Sequence, residues 1–198
     1  MRRPILLAVN LAAVIVFALF MPLEKTLGAN IRLVYLHGAW VWCGLAAFGL
    51  SALLALPALL TRKPDLFGWC AALGRSGLLF WLTYLPMSLL VMQMNWGGFY
   101  FDEPRWRIPL AFAIVGLLLQ LGLWLMQTPT LTAAGNLVFG AALWWSTLNM
   151  RSILHPESPV WQSGSLRIQL FFAGLLLLVL LLGYQVTAWL KLVDRRIV

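Results

Sequence analysis

The chain has 198 residues, of which 62% are hydrophobic and only 10% are charged. So little polar surface excludes a soluble globule of this size, and lipid must therefore be the solvent for most side chains. The formal net charge of +8 does not indicate a nucleic-acid binder, because the basic residues stand singly between apolar runs instead of clustering.

Long apolar runs without strict alternation predict membrane-spanning helices, because each run is long enough to cross the hydrocarbon and no run has the period of a barrel strand. The first run follows Arg2 and Arg3 and predicts an uncleaved helix rather than a signal peptide. The segment 65–74, between the second and third runs, predicts a short interfacial stretch. The six runs cover residues 5–23, 33–60, 76–94, 108–127, 131–150 and 168–190.

The fold class predicted from these runs is all-α: one polytopic integral membrane domain over residues 1–198, with about six transmembrane helices. Basic residues predict its orientation, because they are enriched in cytoplasmic loops. Both termini are expected in the cytoplasm, and the loops near residues 24–32, 95–107 and 151–167 are expected to face outward. The basic residues on the expected cytoplasmic side are Arg2, Arg3, Arg62, Lys63, Arg75, Lys191, Arg195 and Arg196.

Cys43 and Cys70 are the only cysteines, and they form neither a C-x-x-C redox pair nor a metal knot. The sequence has no C-x-x-C-H motif, so haem is not expected to be attached covalently to this chain.

The only two histidines, His37 and His155, both fall on the expected outward side. Imidazole is a common iron ligand, and a six-coordinate haem takes one nitrogen on each face. We therefore predict His37 and His155 as axial ligands of a haem iron. The alternative is that each is an interfacial histidine, satisfied by water or a backbone carbonyl.

An aromatic loop, residues 95–107, lies between the two histidines and reads N-W-G-G-F-Y-F-D-E-P-R-W-R. Flat rings can pack on a porphyrin face, and Arg105 and Arg107 can pair with its propionates. The alternative is an ordinary aromatic belt at the membrane interface. The ring-contacting residues predicted are Trp96, Phe99, Tyr100, Phe101 and Trp106.

Three segments resemble the haem-handling cytochrome c assembly proteins that carry the WWD domain, particularly the six-helix haem exporter protein C type. Arg32, Tyr35 and His37, followed by an A-W pair, resemble the family's R-x-x-Y-x-H stretch, although the V-P after the histidine is missing. In the family, that histidine is an axial haem ligand.

The second segment opens with W-G at Trp96 and closes with Asp102 and Arg105, which is similar to the WWD motif with Phe-Tyr-Phe replacing its tryptophans. In the third segment, S-I-L-H-P at residues 152–156 resembles the family's T-L-H stretch. A rival register aligns residues 144–148 with that stretch and puts Asn149 in place of His155.

The resemblance implies a carrier or assembly factor more than an enzyme. It would hold non-covalent, transient b-type haem at the outer, periplasmic face of a prokaryotic inner membrane. Its implied partners are a haem chaperone or apocytochrome c and other assembly subunits. Alternatives that the sequence leaves open are a b-haem or quinone-linked electron-transfer subunit and a ligand-free membrane scaffold. A transporter is disfavoured, because the spans are almost free of charge.

Overall fold

A computed structural model describes residues 2–25, 27–154 and 160–197. Within these residues the chain is helical and contains six helices. They are α1 (Arg2–Leu19), α2 (Ile31–Thr61), α3 (Pro64–Trp96), α4 (Pro104–Met126), α5 (Pro129–Leu148) and α6 (Leu166–Ile197).

Four helices are long and apolar enough to cross a membrane: α2, α3, α4 and the part of α6 from Leu166 to Val193. The apolar part of α1 is shorter, covering Pro4–Leu19, and α5 is not among these four helices. A helix rises about 1.5 Å per residue, so helices of 31 and 33 residues, the lengths of α2 and α3, extend beyond a hydrocarbon core of about 30 Å.

Proline marks the start of three helices. Pro64, Pro104 and Pro129 occupy the first turns of α3, α4 and α5, where the missing N–H costs no helical hydrogen bond. Arg62 and Gln127 end the preceding helices in the left-handed conformation. The two connections at this end of the bundle are therefore tight turns, and we call it the Asp65 end, after the acidic residue in the first turn of α3.

The opposite end, which we call the His37 end, carries the longer connections, whose described residues are 20–25, 27–30, 97–103, 149–154 and 160–165. Hydrogen bonds join these loops to the bundle and to one another. The Asn30 amide donates to the Met94 carbonyl at 3.1 Å, and the Leu154 N–H donates to the Glu103 carboxylate at 2.7 Å. All three predicted outward loops thus meet at one end of the molecule.

The helices α2 and α3 form the centre of the bundle. They pack closely on each other, α5 and α6 flank them, α4 packs on α3 and α5, and α1 lies mainly against α6. The core is divided accordingly, with one cluster around α1, α2 and α6 and another among α2, α3, α4 and α5.

A buried polar group, which we call the Asn136 cluster, joins four helices in the half of the bundle nearer the Asp65 end. The Gln120 amide donates to Asn136 Oδ1 at 2.6 Å, and Asn136 Nδ2 donates to the Cys70 carbonyl at 3.1 Å. The Ser51 hydroxyl donates to the same carbonyl at 2.7 Å. Each polar side chain therefore finds a partner where water is absent.

Residues 65–74 do not form the separate short segment predicted, because they form the first turns of α3 and continue into it without a break. Cys70 and Gly74 are buried in the bundle. Lys191 pairs with Asp65 at 2.7 Å, and its ammonium lies 4.2 Å from the centre of the Trp69 ring. Lys191 comes from α6, far from Asp65 and Trp69 in the sequence.

Candidate functional site at the His37 end

A cavity of about 130 Å³ opens at the His37 end between α2, α3, α4 and α5, and we call it the His37 cavity. Its wall mixes aromatic, aliphatic and polar groups. The lining residues are His37, Val41, Trp81, Tyr84, Ser88, Val91, Met92, Trp96, Glu103, Arg105, Pro109, Thr147 and Met150.

His37 lies in the second turn of α2 and is half-buried. Its ring centre is 5.5 Å from that of Tyr84, at an interplanar angle of 57°. Tyr84 is held in turn by an edge-on contact with Trp81, whose indole N–H donates to the Pro109 carbonyl at 3.0 Å. The imidazole therefore stands against a fixed aromatic wall.

The two arginines predicted to bind propionates lie in different surroundings. Arg105, in the first turn of α4, lines the cavity, and its buried Nε has no hydrogen-bond partner among the described residues. The Arg107 side chain is 67% exposed and lies 3.7 Å from the Asp102 carboxylate. Arg105 is therefore the arginine available to an anion inside the cavity.

The predicted aromatic residues divide into three kinds. Trp96 ends α3 and lines the cavity. Phe99, Tyr100 and Phe101 are exposed on the loop, with Phe99 and Phe101 stacked at 5.9 Å between ring centres. Trp106 is only 6% exposed and packs in the core among α2, α3, α4 and α5, away from the cavity wall.

The second predicted histidine, His155, lies outside the described residues. The chain before it passes close to the cavity, because the Ile153 and Leu154 N–H groups both donate to Glu103. In the rival register, Asn149 is exposed, donates to the Trp145 carbonyl at 2.8 Å, and is not part of the cavity wall.

Sequence reasoning missed Glu103, Tyr84, Trp81 and Ser88. The three α3 residues share one helical face, since they are spaced by three and four positions, and that pattern could have placed them together. Glu103 precedes a proline that begins a helix, which indicates an N-cap, and its carboxylate accepts from the Arg105 N–H at 3.5 Å.

The residues present fit a haem in chemistry but not in volume. An imidazole, an arginine and a tryptophan at one cavity are the groups that bind iron, propionates and a flat ring. Pockets that enclose small molecules usually measure about 300–1,000 Å³, however, so a cavity of about 130 Å³ does not enclose a porphyrin. Among the described residues, no group of three or more His, Cys, Asp or Glu side chains could hold a bare metal ion.

In comparisons with known proteins, no family model, curated protein or solved structure matches this chain.

Proposed function

We propose that this protein is a membrane haem-binding protein that holds haem at the His37 end and passes it on for cytochrome c maturation. One observation carries the proposal: His37 from the first segment and Trp96 and Arg105 from the second, far apart in the sequence, line a single cavity. The maturation role and the partners, a haem chaperone or apocytochrome c and other assembly subunits, rest on the resemblance of those segments to the WWD-domain family.

In this proposal, haem would supply an iron that binds imidazole nitrogen. His37 and His155, rather than Asn149, would hold that iron. Arg105 would pair with a propionate. Because the cavity is too small to enclose the ring, Trp96 and the exposed rings of Phe99, Tyr100 and Phe101 would hold it by aromatic contact. An open position of this kind suits a carrier that must also release its cargo.

The test is the absorption spectrum of the protein purified in mild detergent from haem-replete cells, oxidised and reduced, beside a pyridine haemochrome assay. We expect bound low-spin haem whose spectrum changes in His37→Ala and in His155→Ala. The matched control is Asn149→Ala, which changes only the rival ligand and should leave the spectrum intact. No haem in the wild type, or identical spectra in both histidine variants, would refute the proposal.

The proposal also places all six helices across a prokaryotic inner membrane, with both termini in the cytoplasm and the His37 end in the periplasm. Single cysteines test this, because the native Cys43 and Cys70 are buried. A membrane-impermeant maleimide added to intact spheroplasts should label Trp161→Cys, at the His37 end, and not Lys63→Cys, at the Asp65 end. The reverse labelling pattern would invert the orientation.

A second candidate function is a ligand-free scaffold whose exposed aromatic loop binds a protein partner or lipid. The volume of the cavity favours it, because about 130 Å³ accommodates water more readily than a cofactor. Colourless protein from haem-replete cells, with unchanged stability when haem is added, would support the scaffold.

A further inference from the structure

Glu103 is a buried carboxylate at the point where two predicted site segments meet. It is 2% exposed, belongs to the wall of the His37 cavity, and caps the start of α4. A buried carboxylate is costly unless it is paired or hydrogen-bonded. Its hydrogen-bond partners therefore show which parts of the structure the carboxylate holds together.

Its main partners are in the loop after α5. Oε2 accepts from the Leu154 N–H at 2.7 Å and from the Ile153 N–H at 3.2 Å, and Oε1 lies 3.3 Å from the Ile153 nitrogen. The side chains of Ile153 and Leu154 are 70% and 46% exposed. Burial of apolar surface therefore does little to hold this stretch, and the carboxylate anchors it through the backbone.

Glu103 is itself held firmly. Its carbonyl accepts from the Trp106 N–H at 2.9 Å and from the Arg107 N–H at 3.0 Å, which fixes it to the first turn of α4. Trp106 anchors that turn in the core. The helix N-terminus also favours a negative charge at this position. The anchor is thus rigid, while the segment that it holds belongs to a long loop.

We propose that Glu103 is a positioning residue: its carboxylate clasps the backbone of Ile153 and Leu154 to the cavity wall and so fixes the point from which the chain continues into His155. The role of the clasp in haem ligation rests on the proposed function. The clasp itself does not, since it is made by protein groups alone.

The test is peptide-resolved hydrogen exchange on the full-length protein in detergent without haem, comparing Glu103→Gln with Asp102→Asn. Both changes remove one carboxylate charge without changing shape, but the Asp102 side chain is fully exposed. We expect the Ile153 and Leu154 amides to exchange about tenfold faster in Glu103→Gln only, because a charged acceptor is replaced by a weaker neutral one. Peptides from α2 and α3 should exchange at the wild-type rate.

Unchanged exchange at residues 153–154, or equally faster exchange throughout the bundle, would overturn the clasp. The haem-loaded protein gives the second readout: the Glu103→Gln spectrum should move towards that of His155→Ala, with the Asp102→Asn spectrum unchanged. Faster local exchange with a wild-type spectrum would overturn the positioning role. If the wild type binds no haem, the proposed function fails. The hydrogen-exchange result alone then decides whether Glu103 holds the backbone of Ile153 and Leu154.

Discussion

The two polar regions of the bundle, the Asn136 cluster and the His37 cavity, differ in how completely their groups are satisfied. In the cluster, Gln120, Asn136 and Ser51 are buried, and each of them donates a hydrogen bond of 3.1 Å or less. The cavity has empty volume, and the Nε of Arg105 has no partner among the described residues. Unsatisfied buried groups are costly, so the cluster is expected to contribute more to stability than the polar groups of the cavity do.

Trp106 is an exception at the His37 end, because it packs in the core and does not line the cavity. Replacing a buried tryptophan with alanine costs about 3–5 kcal/mol. We therefore expect Trp106→Ala to lower the thermal unfolding midpoint in detergent strongly, as followed by circular dichroism. Phe99→Ala, in the connection before α4 and 53% exposed, is the control and should leave the midpoint unchanged. Equal midpoints in the two variants would show that Trp106 does not anchor α4.

A substitution at Gly74 tests the packing around the Asn136 cluster. A Cβ at this position would lie 2.6 Å from Asn136 Nδ2, so Gly74→Ala must displace the side chain that joins α3, α4 and α5. Overpacking of this kind costs about 1–3 kcal/mol.

The matched control for Gly74→Ala is Gly122→Ala, which is also helical and would meet nothing within 4 Å. It should be neutral or slightly stabilising, since alanine favours a helix over glycine. The measurement is again the unfolding midpoint, and a midpoint for Gly74→Ala at or above that of Gly122→Ala would contradict the closed packing of the Asn136 cluster.

The sequence predicts the helices well, because apolar runs report directly on lipid burial. It misplaces the start of α3, because Asp65 and Gly74 look like interfacial residues until Lys191 and Asn136, from distant helices, are seen beside them. No local pattern contains those partners.

The site shows the same limit. The outward loops could be grouped from hydropathy alone, and His37, Trp96 and Arg105 do line one cavity. The sequence could not distinguish Arg105 from Trp106 as a cavity residue, although successive helical positions point about 100° apart and cannot both face the same space. Glu103 was missed because its partners, Ile153 and Leu154, are separated from it in the sequence by two helices, α4 and α5.

A substitution at Arg105 tests the proposed role of the His37 cavity. Arg105→Ala removes the cavity cation, and we expect haem affinity to fall about tenfold, since a hydrogen bond to a charged group contributes about 1.5–3 kcal/mol. Stability should change little, because the Arg105 Nε has no partner among the described residues. Haem titration by absorbance measures the affinity, with Arg107→Ala as the control at an exposed neighbour. Equal losses in both variants would point to general surface charge instead of the cavity.

The smallest effect is expected at the Asp65 end, where the ion pair between Asp65 and Lys191 is partly open to solvent. The Asp65 side chain is 61% exposed, and ion pairs with an exposed partner contribute about 0–1 kcal/mol. Asp65→Asn should lower the unfolding midpoint slightly, and the difference should shrink at high salt, because salt screens exposed charges.

The control for Asp65→Asn is Asp102→Asn, whose longer pair with Arg107 is exposed on both sides and should show no measurable change. Lys191 also lies over the Trp69 ring, so its packing persists when Asp65 is neutralised. A loss as large as that of Gly74→Ala would mean that this ion pair contributes as much to stability as the packing around the Asn136 cluster.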